Sequence, residues 1–384
     1  MIRNIDLKPE DQLLLSCAQT RMSSENENKI KNLLDSNLNW KFIFDKARIN
    51  GLVPLLYYNL NRIDSNKIPD NILLNLKKLY HKNVHRNILL TAELIKVFDL
   101  LKNGGVKAVT YKGPVLALNA YGSLAFREFG DVDILIRKAD VNKAKKIMND
   151  NGFYLDPPIE LKTSIYIQLA SEYQFKNSFG GIIEINWSFI GNYFYFPNSP
   201  KLLFNDLKNY KINDFVIKTI SPENDFLMLC IHCSKHNWKR ILWICDLREF
   251  LENNEINWAD LWEKADQLAV KRIVIINLIL LKNLFGLEYQ KIAQLSDKYA
   301  QELACQIIRR KFIEDKNSWS KSEKIFLYLK KRENFTYGLM DLLGNLTKPI
   351  YQDYQNIKLP ESFFGLYLVI RPFLLLKKHL RNQF

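Results

Sequence analysis

The sequence predicts an α+β protein, with a small mixed core of strands and helices held between two helical regions. Three observations predict it. Apolar residues recur at helical spacing up to about residue 104. Short alternating runs replace that pattern between about 105 and 190, and helical spacing returns from Ser221. The composition, 47% hydrophobic and 25% charged over 384 residues, is that of a globular chain with enough apolar material for real cores. The reading gives an N-terminal helical region at 1–104, an α/β core at 105–200 and a C-terminal helical domain at 201–384.

The elements follow in order. Asp11 to Cys17 opens one apolar stripe, and Trp40 to Ile49 opens a second that breaks at Gly51. The longest periodic stretch, Asn71 to Asn103, runs through Ile72, Leu76, Val84, Leu94 and Leu101, and Gly104-Gly105 ends it. Val106 to Tyr111 is then a short β-type run, and Asp131 to Arg137 is a second with alternation at its start. Asp140 is placed to cap a helix that ends at Asn151-Gly152. Tyr173 to Phe175 and Ile182 to Trp187 read as a hairpin, joined through a turn that holds Gly180-Gly181. Ser221-Pro222 starts the C-terminal helices, with proline at the first helical position. The tail from Phe363 to Phe384 reads as a final docking helix with a basic end, and an interfacial membrane helix is the alternative.

The balance of 55 Lys+Arg against 41 Asp+Glu gives a net charge of +14. That excess suits partners carrying phosphate without choosing among them. Five cysteines at irregular spacing argue against a disulfide framework. Neither a signal peptide nor a transmembrane run is visible, so the expectation is a cytoplasmic protein.

Candidate chemistry centres on Asp131 and Asp133. Carboxylates two residues apart on a strand share a face, where they repel unless a cation lies between them. Glu184 lies in the middle of an apolar strand and completes a three-carboxylate set if that strand is a neighbour. Such a set suits Mg²⁺ and phosphoryl chemistry. Lys112-Gly113 sits at a strand-to-helix turn, where backbone amides can approach phosphate. Arg127 is placed to pair with phosphate or with the acids. Gly122-Ser123 is a weaker rival for the phosphate turn, because it follows a helical stretch. Cys230, Cys233, Cys245 and the nearby histidines suggest zinc on spacing, but cysteines inside an apolar helix suit core packing. His232, Lys235, His236 and Lys239 line one helix side as a cationic patch, with Lys235 and His236 the expected nucleotide contacts.

Taken together, Tyr111-Lys112-Gly113, Arg127, Gly130 to Ile136 and Ile183 to Trp187 resemble the uncharacterised nucleotidyltransferase family of the DNA polymerase β-like superfamily. The cluster from His232 to Asp246 and the segment Gly51 to Leu56 resemble it too, so the likeness extends to about residue 285. It implies a polymerase β-like fold with Lys112 and Gly113 in the phosphate-binding turn. Asp131 and Asp133 match the metal pair, and Glu184 matches the third carboxylate. Asn186 departs from relatives that carry His shortly after that acid. The implied activity is transfer of NMP from an NTP, ATP by default, to a hydroxyl or phosphate acceptor, with two Mg²⁺ ions. The expected acceptor is a small molecule. The alternatives are an inactive nucleotide-binding scaffold, or an enzyme that modifies RNA or protein.

Overall fold

The computed structural model describes residues 7–159, 161–188, 194–197, 206–287, 297–316 and 319–381. Four helices open the chain: α1 (Pro9–Cys17), α2 (Ser24–Leu34), α3 (Trp40–Asn50) and α4 (Val53–Ile63). The long helix α5 (Asp70–Asn103) follows, and glycines at 104 and 105 end it as expected. The core then runs β1 (Ala108–Val109), α6 (Gly113–Tyr121), β2 (Asp131–Ile136), α7 (Val141–Asp150), β3 (Tyr154–Leu155), α8 (Thr163–Leu169), β4 (Glu172–Lys176) and β5 (Ile182–Asn186). Asp140 does precede α7, but its side chain makes no capping hydrogen bond, because residues 138–140 already coil as a 3-10 turn.

The five core strands form one mixed sheet in the order β1-β2-β5-β4-β3. Only the β2–β5 pair is parallel. One face is apolar: Val132, Ile134, Ile183, Ile185, Tyr173 and Phe175 are all buried there. They share a core with Leu94, Val97 and Phe98 of α5, Ala144 and Met148 of α7, and Ile165 and Leu169 of α8. This is the alternation expected when one sheet face is buried and the other carries polar groups.

A further hairpin, β6 (Leu207–Ile212) and β7 (Phe215–Ile220), lies inside the span read as the C-terminal helical domain, just before the helical spacing that returns at Ser221. The outward side of β6 is polar and exposed, which hides its strand period. It docks on the core where the Thr110 amide donates to the Lys218 carbonyl at 3.0 Å.

Helices complete the chain: α9 (Pro222–Lys235), α10 (Ile241–Asn253), α11 (Trp258–Gln267), α12 (Lys271–Phe285), α13 (Lys298–Ile308), α14 (Lys321–Lys330), α15 (Phe335–Thr347), α16 (Tyr351–Asn356) and α17 (Tyr367–Arg381). Ser221 caps α9 by accepting from the Asn224 amide. The N-terminal helices and α9 to α13 share a second core, which Val109 and Leu135 join from the polar face of the sheet. That places α9 and α10 beside the acid-bearing strands. Ion pairs tie the outer parts together: buried Lys46 meets buried Asp11 at 2.8 Å and exposed Asp315 at 2.7 Å, and Arg332 meets Asp341 at 3.1 Å, both buried.

Candidate active site

Asp131 and Asp133 lie at the start of β2, two residues apart, and so both project from the polar face. The parallel register sets Glu184 directly beside Asp133, one strand spacing away, roughly 4.8 Å. Gln174 of β4 continues this row, and Glu172 sits beside Asn186 in the next. The Thr110 hydroxyl fixes β2 at this point by donating to the Asp133 carbonyl at 2.7 Å.

Lys112 reaches into the same face from the β1–α6 turn. Its Nζ stands 3.4 Å from both carboxylate oxygens of Asp133. Gly113 follows as the first residue of α6, with φ of +56°. A Cβ there would meet the Asp131 carbonyl oxygen at 3.3 Å, so glycine lets the turn press against β2. The first turn of α6 has no side-chain cap, which leaves its amides available to an anion. Gly122 instead ends α6 with φ of +69°, so of the two glycine turns only Lys112-Gly113 leads from a strand into a helix.

Electrostatics on this face are strained by design of the sheet. Burial, then repulsion from Asp133, Glu172 and Asp131, pushes the Glu184 carboxyl up to about 8 against the pull of Lys112. Burial and Asp133 likewise raise Asp131. Glu172 is raised by burial, with Lys235 opposing. Burial works against charge on Lys112, but Asp133, Tyr111, Asp131 and Glu184 outweigh it and hold the ammonium above its ordinary range. Lys235, from the last turn of α9, is lowered by burial and by Lys112 while Glu172, Asp133 and Glu184 support its charge. The face thus gathers four carboxylates and two ammonium groups within mutual reach.

A sequence profile of the uncharacterised nucleotidyltransferase family matches residues 36–286, more than half of the chain. The chain belongs to this family. Comparison with curated proteins and with solved structures finds no match. Membership supports nucleotidyl transfer as the general chemistry, and the matched span contains every residue of the charged face just described.

In this nucleotidyltransferase-family protein, six of the residues expected from the sequence come together: Lys112, Gly113, Asp131, Asp133, Glu184 and Lys235. Two are placed differently. Arg127 is buried and committed to Asp246, with Nε to Oδ1 at 2.8 Å and Nη2 to Oδ2 at 2.9 Å, and Tyr121 donates to the same carboxylate at 2.7 Å. It fixes the loop before β2 rather than presenting its guanidinium to a ligand. Asn83 and Asn87 of α5 hold that loop from the other side, both donating to the Arg127 carbonyl. His236 packs against His232 and Trp243, with ring centroids 4.6 and 4.9 Å apart. Burial, then Lys235 and Lys112, pushes its imidazole down to about 4. His232 is lowered further for the same reasons, so the expected cationic patch reduces to its lysines.

The cysteines behave as core residues. Cys230, Cys233 and Cys245 are buried, their thiols raised by burial, and the Cys233 thiol donates to the Trp243 carbonyl at 3.4 Å. Among the described residues, no three His, Cys, Asp or Glu side chains converge on a point where a metal ion would sit. On the polar face, Lys112 supplies the counter-charge to Asp133. The donor chemistry there, carboxylates on two neighbouring parallel strands, suits a hard divalent cation.

Glu172 is the site residue that sequence reasoning missed. Its strand alternates visibly, but only the register places its polar side on the acid face. Glu172 and Gln174 also line a cavity of about 470 Å³ between β4, α8 and helices α15 to α17. Tyr166 and Tyr351 meet edge to face across it at 5.1 Å, and Asn345, Lys348 and Gln352 form its far wall.

Proposed function

We propose that this protein is a Mg²⁺-dependent nucleotidyltransferase that moves NMP from an NTP, ATP by default, to a hydroxyl of a small acceptor. The observation that carries the reading is the register pairing of Asp133 with Glu184, next to Asp131 and under Lys112. Asp131, Asp133 and Glu184 would hold the metal ions. When bound, such ions neutralise phosphate charge and lower the pKa of an attacking oxygen. Lys112 and the first amides of α6 would hold the phosphates in line. Lys235 adds charge from α9. Glu184 is also placed to take the acceptor proton at its carboxylate. The cavity lined by Glu172 and Gln174 supports a small acceptor, because its volume suits a compact organic molecule.

The test is the thermal shift of wild type and of the Asp131→Asn/Asp133→Asn double variant with each NTP, with and without Mg²⁺. The reading expects stabilisation by an NTP only with both the metal and the two acids. Equal stabilisation of the double variant would refute the metal roles. No shift with any NTP would leave either a site that needs its acceptor first or a fold that has lost its chemistry.

A further inference from the structure

Helices α15 and α17 turn apolar stripes outward. On α15, Phe335, Leu339, Leu343 and Leu346 recur at i, i+4, i+8 and i+11 and are all exposed, Phe335 at 60%. On α17 and the turn before it, Leu366, Val369, Phe373 and Leu376 recur at i, i+3, i+7 and i+10, with Val369 63% and Phe373 66% exposed. The opposite side of α17 is already anchored. Tyr367 is fully buried, and Arg371 holds Asp353 and the Asn345 carbonyl. Single exposed apolar residues are ordinary, but two helical stripes on packed neighbours form a surface that water disfavours.

Charge selects what covers it. Between residues 335 and 384 the acids are Asp341, Asp353 and Glu361. Arg332 neutralises the first and Arg371 the second inside the fold. Over the same span Lys and Arg number six against these three acids, so the region carries a net positive charge by sequence. A second copy would bring the same positive excess and a chain charge of +14, so self-association works against electrostatics. An anionic lipid surface supplies both the opposite charge and an apolar layer for the stripes. No helix among the described residues is long and apolar enough to cross a membrane, which fits a helix that lies in the interface.

We propose that α15 and α17 form an interfacial face that docks on anionic lipid bilayers. This holds independently of the nucleotidyl reading. The experiment is co-sedimentation of the full chain with vesicles of phosphatidylcholine alone, or of phosphatidylcholine with roughly one third phosphatidylglycerol. The expected result is at least about tenfold stronger partitioning to the anionic vesicles, falling as salt rises. Val369→Ser/Phe373→Ser, at exposed positions, should weaken binding about tenfold or more with an unchanged melting temperature. Lys377→Glu should weaken it without altering the apolar stripe. Equal partitioning to both vesicle types, or full binding by the serine variant, overturns the proposal. So does light scattering that shows a dimer which the serine variant dissociates, since the face would then be an interface between copies.

Discussion

Replacing Glu184 by glutamine should make the metal-free protein more stable while removing its chemistry. The Glu184 carboxyl titrates near 8 in the folded chain and at 4.5 when free of its neighbours. Below 4.5 it is protonated in both states and contributes nothing to the pH dependence. Between 4.5 and about 8 the folded protein holds a proton that the unfolded chain has lost, so stability falls as pH rises. Above 8 the full penalty is present, and the spacing of the two values corresponds to about 5 kcal/mol. Side-chain relaxation and water entry reduce this, so Glu184→Gln should exceed wild type by about 2–4 kcal/mol near pH 9 and by little near pH 4.5. Urea denaturation in EDTA across that range measures it. With Mg²⁺ and ATP the order should reverse, because only wild type gains the binding energy. A variant less stable than wild type throughout, or a difference that does not grow with pH, would refute the repulsion argument.

Further outcomes test other parts of the molecule. Asp131→Asn and Asp133→Asn should each lower pyrophosphate release from ATP by about a thousandfold or more while the circular dichroism spectrum is kept. Asp246→Asn leaves the buried Arg127 with a weakened partner and should cost about 3–5 kcal/mol in urea, most of it recovered by the paired apolar change Arg127→Met/Asp246→Leu. Gly113→Ala must accept φ of +56° and a tight approach to Asp131, so it should cost about 1–2 kcal/mol and slow turnover with it. Lys331 is buried against the rings of Phe194 and Tyr328, and burial pushes its ammonium from 10.5 down to about 7. The unfolded chain keeps that proton between 7 and 10.5, so stability should rise with pH across this window. Lys331→Met should flatten the rise and add about 2–4 kcal/mol near pH 7, as read by urea midpoints.

Much of the local structure was legible because it rests on neighbours in sequence. The glycine end of α5, the Ser221-Pro222 start of α9 and the β4–β5 hairpin each depend on a few adjacent residues. The β6–β7 hairpin was not legible, since its polar outer side masks the strand period and its docking partner is Thr110, about a hundred residues earlier. The two-residue β1 is shorter than the apolar run that announced it, because only Ala108 and Val109 find partners on β2. Arg127 illustrates the limit of motif reasoning. Its proximity to Asp131 in sequence suggested a ligand contact, while its bond goes to Asp246 across more than a hundred residues.

By itself the sequence determined the order of the chemical groups: a glycine turn after a strand, two acids at alternate positions, a later acid in an apolar strand, and a basic surplus. Those are set by residue identity and short spacing. Only the tertiary structure decided which acids face one another, that Glu172 joins them, and that His236 is held neutral while Lys235 reaches the site. Register and burial are long-range properties. A slip of one residue between β2 and β5 would turn Glu184 to the apolar face, and no local pattern records which of the two alignments the packed core selects.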